Sequence, residues 1–175
     1  ISEHSAASDK IFIFGSEPQI LFYANRPSAS RYIFLYPLYG GAGDALVRQQ
    51  AVVQELRSEL PKFMVIIHSP NSFSRVEGSP EDLEQELEKI IGENYSRFAA
   101  AAFGADGTFR IIPAEPSTEE LKPSYELADR ERLTMEVWER NNSGGSTQEK
   151  KAQETHMVPM RDKLRANLDE VRARI

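Results

Sequence analysis

The stretch Ile-Phe-Ile-Phe-Gly at residues 11–15 decides the fold class. Four consecutive apolar residues ended by a glycine are typical of a short strand buried on both faces, because a strand with one wet face alternates apolar and polar residues. The stretch Phe-Met-Val-Ile-Ile at residues 63–67 repeats this pattern. Strands of this kind need helices on both sides of their sheet, so we expect an α/β fold.

Turn and cap residues after the first stretch predict a short helix. Ser16 can cap this helix, and Gln19, three residues later, completes a capping box. Asn25 suits the left-handed position that closes a helix. A second strand is predicted at residues 32–36 (YIFLY), stopped by Pro37, so the helix would cross between two parallel neighbours.

Two longer amphipathic helices are predicted further along the chain. Residues 45–60 follow Asp44 as the expected cap, and a second helix starts after Ser79 and is expected to end at Gly92. Their apolar stripes are Leu46, Val53, Leu56 and Leu60 in the first helix and Leu83, Leu87, Ile90 and Ile91 in the second. Five carboxylates of the second helix are expected on its solvent face: Glu81, Asp82, Glu84, Glu86 and Glu88.

The rest of the chain favours antiparallel strands. Residues 98–103 and 108–112 flank a Gly-Ala-Asp-Gly turn and predict a β-hairpin, with an alanine-rich helix ending at Gly104 as the alternative. Residues 133–139 alternate apolar and polar side chains, which is typical of an edge strand with one wet face. Together these elements predict a three-layer α-β-α sandwich whose mixed sheet has a parallel centre and antiparallel edge strands.

Composition divides the chain into four segments. They are a polar lead-in at residues 1–9, the α/β domain at residues 10–140, a linker at residues 141–159 and a C-terminal helix at residues 160–175. The C-terminal helix carries a narrow apolar seam among charges of both signs, which favours packing on a partner or on another copy over binding to lipid.

Charge and composition exclude several classes of function. Residues 141–175 hold seven Lys and Arg and five Asp and Glu, a charge of +2. Because the whole chain has a net charge of −6, the first 140 residues carry a charge of −8. An acidic body lacks the basic footprint of nucleic-acid binders, so no nucleic-acid partner is expected. There is no cysteine, which excludes disulfides, thiolate zinc sites and a Cys nucleophile.

Targeting signals are not visible in the sequence. No apolar run approaches the ~20 residues that span a bilayer, and no basic segment followed by an apolar one marks a signal peptide. The chain opens on Ile1 rather than on Met, so we expect it to be a piece of a longer protein.

Cofactor and metal motifs are incomplete. The glycine-rich loop at residues 40–43 precedes a helix, where backbone N–H groups can bind an anion. Leu46 stands where the third glycine of a dinucleotide fingerprint belongs, and Asp44 would repel phosphate, so a plain loop is favoured over a nucleotide site at Gly41 and Gly43. The three histidines lack metal-ligand spacing, so neither a metal nor another cofactor is expected.

Five further residues are candidates for ligand binding. His68 follows the stretch 63–67 at the carboxyl edge of the sheet, where ligands of open α/β sheets bind. A carboxylate, a phenol and two guanidinium groups that could hold an anionic group are supplied by Glu17, Tyr23, Arg26 and Arg31. The alternatives are a hydrogen-bonded strand-end histidine, a glutamate that caps its helix and arginines that pair with surface acids.

Residues 11–34 resemble the segment after the last transmembrane helix in polytopic glycosyltransferases of the dolichyl/polyprenyl-phosphate-sugar type, the protein mannosyltransferase and lipid A aminoarabinose transferase-like superfamily. The matching residues are Gly15, Glu17, Pro18, Tyr23, Arg26, Arg31 and Tyr32, followed by Pro61-Lys62-Phe63 and by Tyr95. An aromatic residue often stands beside the glycine in that family, and Ser16 replaces it here. The resemblance covers roughly residues 10–140.

The resemblance implies a soluble accessory domain on the extracytoplasmic side of a membrane. Its partner would be its own membrane-embedded catalytic module, which would transfer a sugar from a polyprenyl-phosphate donor, and donor or acceptor would be met at the domain interface. The catalytic acids of that family lie between transmembrane helices, so no catalytic residue is carried over and the isolated domain is expected to do no chemistry.

Two alternatives to the accessory domain stay open. One is a domain that binds a small anionic ligand or a sugar phosphate, and the other is a protein-interaction module that uses the C-terminal helix. The sequence does not decide the donor sugar, the acceptor or the oligomeric state.

Overall fold

The structure, a computed structural model, describes residues 1–40, 43–104, 107–114 and 132–141. The C-terminal helix predicted at residues 160–175 lies outside the described residues, as does the predicted linker apart from Asn141.

Five strands and four α-helices are formed by the described residues. The strands are β1 (Ile11–Phe14), β2 (Phe63–Ile67), β3 (Tyr95–Phe103), β4 (Phe109–Pro113) and β5 (Arg132–Arg140). The helices are α1 (Gln19–Ala24), α2 (Tyr36–Tyr39), α3 (Ala45–Ser58) and α4 (Asp82–Asn94). Two short 3-10 helices lie at Ser2–His4 and Pro70–Ser72. Both buried stretches that decided the fold class are strands, and the predicted hairpin is confirmed as β3 and β4.

The strands form one mixed sheet in the order β1-β2-β5-β3-β4. β1 and β2 are parallel, and the other pairings are antiparallel. The α/β class with a mixed sheet is therefore confirmed, with the parallel pair at one end of the sheet. β5 was predicted as an edge strand but lies in the middle, between β2 and β3. Its alternating pattern was misleading because Glu136, one of its polar residues, is buried and bonded to His68 rather than exposed to water.

The second strand predicted at residues 32–36 does not form. Three of its five side chains are more than 40 % exposed: Ile33, Phe34 and Tyr36. Leu35 is buried, but its backbone N–H donates to Ser16 Oγ (3.0 Å) instead of to a neighbouring strand. Pro37 occupies the first turn of α2, where its missing N–H leaves no hydrogen bond unmade. β1 consequently pairs directly with β2.

Apolar side chains cover both faces of the β1–β2 pair, which gives the three predicted layers. Residues that alternate along a strand face opposite sides. One side packs with α2, α3 and α4 and includes Phe12, Phe14, Met64 and Ile66. The other side packs with α1 and includes Ile11, Ile13, Phe63, Val65 and Ile67.

Helix α4 buries the stripe predicted for it but differs in two respects. It continues through Gly92 to Asn94, where the sequence predicted a stop at the glycine. Glu84 was predicted on the solvent face and is only 2 % exposed. It precedes Leu87 by three residues and Ile91 by seven, so helical geometry places it on the buried face.

The short helix α1 and the longer helix α3 form at their predicted positions. Asn25 closes α1 in the left-handed conformation (φ 51°, ψ 52°), as predicted. Ser16 does not cap α1 as predicted. Its hydroxyl oxygen instead accepts a hydrogen bond from the backbone N–H of Leu35. Leu46 of α3 was predicted in the apolar stripe but is 41 % exposed, and the buried face holds Ala45, Gln49, Val52 and Leu56 instead.

Candidate functional site

The carboxyl ends of β1 and β2 lie side by side because the two strands are parallel, with Phe14 opposite Ile66. Glu17 follows β1, and the hydroxyl of Ser72, which follows β2, donates to Glu17 Oε1. Among the described residues, the buried Glu17 Oε2 atom has no hydrogen-bond partner. This edge therefore holds a carboxylate with unused acceptor capacity, at the place where open α/β sheets bind ligands.

Gly15 makes this close approach possible. A Cβ atom at Gly15 would collide with Glu17 Oε2 and would lie 2.8 Å from Ile67 Cβ. A glycine is required here because the Glu17 carboxylate folds back over the end of its own strand.

His68 follows β2 at the same edge and is 5 % exposed. Its Nε2 atom lies 2.8 Å from Glu136 Oε2, and Arg97 Nε lies 3.8 Å from Glu136 Oε1. Glu136 is itself 3 % exposed. His68 is thus the hydrogen-bonded strand-end histidine that the sequence offered as the alternative to a ligand-binding residue.

The segment between β2 and α4, residues 69–80, covers this edge, and we call it the strap. Its Phe73 is 1 % exposed and packs on Phe14 and Tyr39, with ring centroids 4.9 and 5.7 Å away. The Arg75 guanidinium lies 4.4 Å from the centre of the Tyr39 ring and pairs with the buried Glu84.

Burial acts on the ionisable groups beneath the strap. It lowers the pKa of Arg75, although the neighbouring Tyr39 and Glu81 act in the opposite direction. It raises the pKa of Tyr39 far above its ordinary value. Within the described part of the chain, the Tyr39 hydroxyl is buried without a hydrogen-bond partner, so both Tyr39 and Glu17 present an unsatisfied oxygen here.

Arg26 lies at the opposite end of β1, because Pro27 accepts from the N–H of Ile11. All five of its N–H groups donate to oxygens of Ser2, Ser5, Ala24 and Asn25. No donor is left for an anionic ligand. Arg26 instead fastens the lead-in to the domain, where His4 packs edge-on against Phe98 at 4.9 Å.

The other candidates of the same cluster do not converge with Glu17. Tyr23 lies on the outer surface of α1 and is 81 % exposed. Arg31 pairs with Glu55 of α3, as the alternative expected. Burial tends to raise the pKa of Glu55, but hydrogen bonds from Arg31 and Ser30 lower it overall. Among the proposed residues that the structure describes, Glu17 and His68 share the carboxyl edge of β1 and β2.

The two glycines of the loop before α3 give little information about phosphate binding. Gly41 lies outside the described residues. Gly43 has open space around it, and Asp44 pairs with Arg48 rather than bonding the helix end.

A shallow open cavity of about 460 Å³ lies beside α1. It is lined by Ala7, Leu21, Phe22, Asn25, Arg26 and Pro27. Because the Arg26 donors are already used, the cavity offers an aromatic surface rather than an anion site.

The described ranges also bear on metal binding and on membrane insertion. They contain no group of three or more His, Asp or Glu side chains that could hold a metal ion. Within these ranges no helix is both long enough and apolar enough to cross a bilayer. Comparison with protein-family models, with curated proteins and with solved structures finds no match to this chain.

Sequence reasoning missed the strap residues and the buried acids. The spacing of Glu84 before Leu87 and Ile91 was a usable signal, because it repeats the spacing of the apolar stripe. Arg75 is the only Lys or Arg between residues 63 and 88, beside Phe73 in an otherwise polar loop. No local pattern reveals that Tyr39 and Phe73 meet, because their contact depends on the tertiary fold.

Proposed function

We propose that this chain is the accessory domain of a membrane glycosyltransferase that uses a polyprenyl-phosphate sugar donor. The proposal rests on the location of the large apolar side chains that are exposed. Seven of the eleven in the described residues lie between residues 22 and 47: Phe22, Tyr23, Ile33, Phe34, Tyr36, Leu46 and Val47. They lie on both sides of the sheet, on α1 and on α3, and they include the aromatic pairs Phe22–Tyr23 and Phe34–Tyr36. Exposed apolar side chains in contact with each other are typical of surface that another body covers.

The position of these side chains supports the proposal. The segment that resembles the polytopic transferases, residues 11–34, contains four of these exposed side chains: Phe22, Tyr23, Ile33 and Phe34. Residues 18–43 also contain no Asp or Glu, although the chain has a net charge of −6. This segment therefore adds no carboxylate that would repel the phosphate of a polyprenyl donor at an interface with the catalytic module.

In this role the domain contributes binding and positioning. The catalytic module would carry the chemistry on the extracytoplasmic side of the membrane, and the aromatic side chains around α1 and α2 would pack against it. Donor or acceptor would then meet the domain at that interface.

The proposal is tested in the full-length protein in membranes by measuring sugar transfer from a polyprenyl-phosphate donor. Replacing Phe22 and Tyr23 by Ser should lower transfer about tenfold, which corresponds to 1.4 kcal/mol of lost contact. The matched control replaces Phe109 and Ile111, which are also exposed, and should leave transfer unchanged. Equal activities for both variants would contradict the proposal. So would a reading frame without apolar segments of ~20 residues before Ile1.

A second candidate function is binding of a sugar phosphate or another small ligand at the carboxyl edge. Two buried oxygens at this edge that lack a hydrogen-bond partner among the described residues, Glu17 Oε2 and Tyr39 Oη, favour it. The carboxylate oxygen can accept a hydrogen bond from a hydroxyl group of the sugar, and the Tyr39 hydroxyl can donate or accept one. Saturation at 100 times Kd should add about 2.7 kcal/mol of stability in a thermal-shift series of sugar phosphates. No shift with any of them would count against this function.

A further inference from the structure

The strap is attached to the domain mainly through side chains. Its backbone–backbone hydrogen bonds, as far as the structure describes the chain, stay inside it: Ser72 N donates to Ser69 O, and Ser79 N to Val76 O. A segment without backbone pairing to the sheet can detach without breaking the sheet.

Five contacts that involve side chains hold the strap closed. Ser72 bonds to Glu17, and Phe73 inserts between Phe14 and Tyr39. Arg75 pairs with Glu84, whose side chain is 3 % exposed. At the end of the strap, Ser79 Oγ donates to Tyr39 O (2.6 Å), and Gln49 of α3 donates to Pro80 O (2.9 Å).

The backbone of the strap has two positions suited to a change of direction. Ser74 and Gly78 both adopt positive φ, at 49° and 79°. They flank Arg75, and both are exposed. A positive φ at the non-glycine Ser74 carries strain that the closed contacts must hold in place.

The closed strap also keeps polar groups away from water. Arg75 and Glu84 are desolvated, and the oxygens Glu17 Oε2 and Tyr39 Oη lack partners among the described residues. Burying unsatisfied polar atoms is unfavourable, and opening would return them to water. The closed state is therefore opposed by the groups that it covers.

We infer that the strap is a gate over the carboxyl edge of β1 and β2, latched by the Arg75–Glu84 pair, which opens locally while the sheet stays folded. Opening exposes Glu17, Tyr39 and the hydroxyl of Ser72 together. These groups can accept and donate hydrogen bonds to a ligand rich in hydroxyl groups. The gate goes beyond the proposed accessory role, because it concerns a different surface from the exposed aromatics.

The test is amide hydrogen exchange in the full chain, followed at Ser72, Val76 and Ser79 and at the amides of β2. The variant Glu84→Gln removes the latch charge, and Glu86→Gln is its control two residues away, where the carboxylate pairs with Arg57 on the exposed side (2.6 Å). Glu84→Gln should speed strap exchange at least about tenfold and leave β2 unchanged. Trypsin should likewise cleave after Arg75 faster in this variant.

Two results would overturn the gate. One is that strap and β2 amides accelerate together, which would mean that only global unfolding exposes the strap. The other is that both glutamine variants behave alike. If Glu84→Gln fails to fold, Ser72→Ala loosens the second contact with little change in volume, and a strap-specific increase of about threefold is expected. The absence of that increase would equally contradict the gate.

Discussion

The two ends of β1 are built differently. At the amino end, Arg26 uses all five N–H groups on oxygens of the lead-in and of α1, and Ile11 exchanges backbone hydrogen bonds with Pro27 and Ala29. At the carboxyl end, Ser72 bonds to one oxygen of Glu17, and the other oxygen is buried without a partner among the described residues. The same strand is thus fixed at one end and incompletely satisfied at the other.

This difference indicates which end of β1 has polar groups available to bind a ligand. A guanidinium whose donors are all occupied stabilises the fold but has nothing to offer a ligand. A buried oxygen without a donor costs free energy, so its retention needs a reason outside the packing. The sequence put Arg26 and Glu17 into one candidate cluster, and the fold assigns them to opposite edges with opposite roles.

The largest effect is expected from the buried acid beside His68. Glu136→Gln should lower the free energy of unfolding by about 3 kcal/mol, because His68 and Arg97 would lose a buried charge partner. The control, Glu139→Gln on the same strand, breaks a partly exposed pair with Lys62 and should cost less than about 1 kcal/mol. Equal midpoints in urea unfolding would mean that the carboxyl edge has no special electrostatic demand.

The close approach of Glu17 is tested at Gly15. Gly15→Ala should destabilise the protein by about 2 kcal/mol, because the new Cβ collides with the Glu17 carboxylate and the Ile67 side chain. Gly43→Ala meets open space and should change stability by less than about 0.5 kcal/mol. Thermal unfolding of both variants measures the contrast, and a tolerated alanine at position 15 would contradict the geometry.

The amino end should give a smaller, separable loss. Arg26→Ala removes the clamp on the lead-in and should cost about 1.5 kcal/mol. Removing residues 1–8 should cost a similar amount, and combining both changes should add little, because both break the same contacts. Fully additive losses in chemical denaturation would show that Arg26 stabilises something other than the lead-in.

The smallest effect is expected at the surface pair of Arg31 with Glu55. Because the pKa of Glu55 is lowered in the folded state, the pair stabilises the protein above the unfolded pKa, and the contribution is lost as the pH falls through the folded pKa. Arg31→Ala should therefore lower the urea midpoint only slightly at pH 7, and the loss should shrink as the pH falls through the folded pKa of Glu55. A difference between the two proteins as large at pH 3 as at pH 7 in urea titrations would contradict this assignment.

The parts predictable from sequence are those governed by local chemistry. The apolar runs at β1 and β2, the left-handed Asn25 and the stripe of α4 follow from residue type and spacing alone. The strand predicted at residues 32–36 was wrong because three of its five side chains are exposed. Residue type alone does not distinguish an exposed apolar residue from a buried one. Whether those side chains are covered in a larger protein is the question that the proposed function addresses.

The candidate site was only half accessible to sequence reasoning. Glu17 and His68 could be placed at one edge, because each follows a predicted parallel strand. Glu136, Arg75 and Tyr39 reach that edge through the placement of β5, the strap and α2, which depends on long-range pairing. The order of strands in a sheet is set by the whole fold, so no window of sequence contains it.

The most direct test of the contrast between the two ends of β1 is native-state hydrogen exchange of the unmodified chain at increasing low urea concentrations. The amides of Ser72, Val76 and Ser79 should exchange through a local opening whose rate hardly depends on urea. Ile11 and Ala29, at the amino end, should exchange only through a urea-sensitive opening close to global unfolding. If the strap amides instead follow Ile11 and Ala29 at every urea concentration, the carboxyl edge is as fixed as the amino edge, and the proposed gate is wrong.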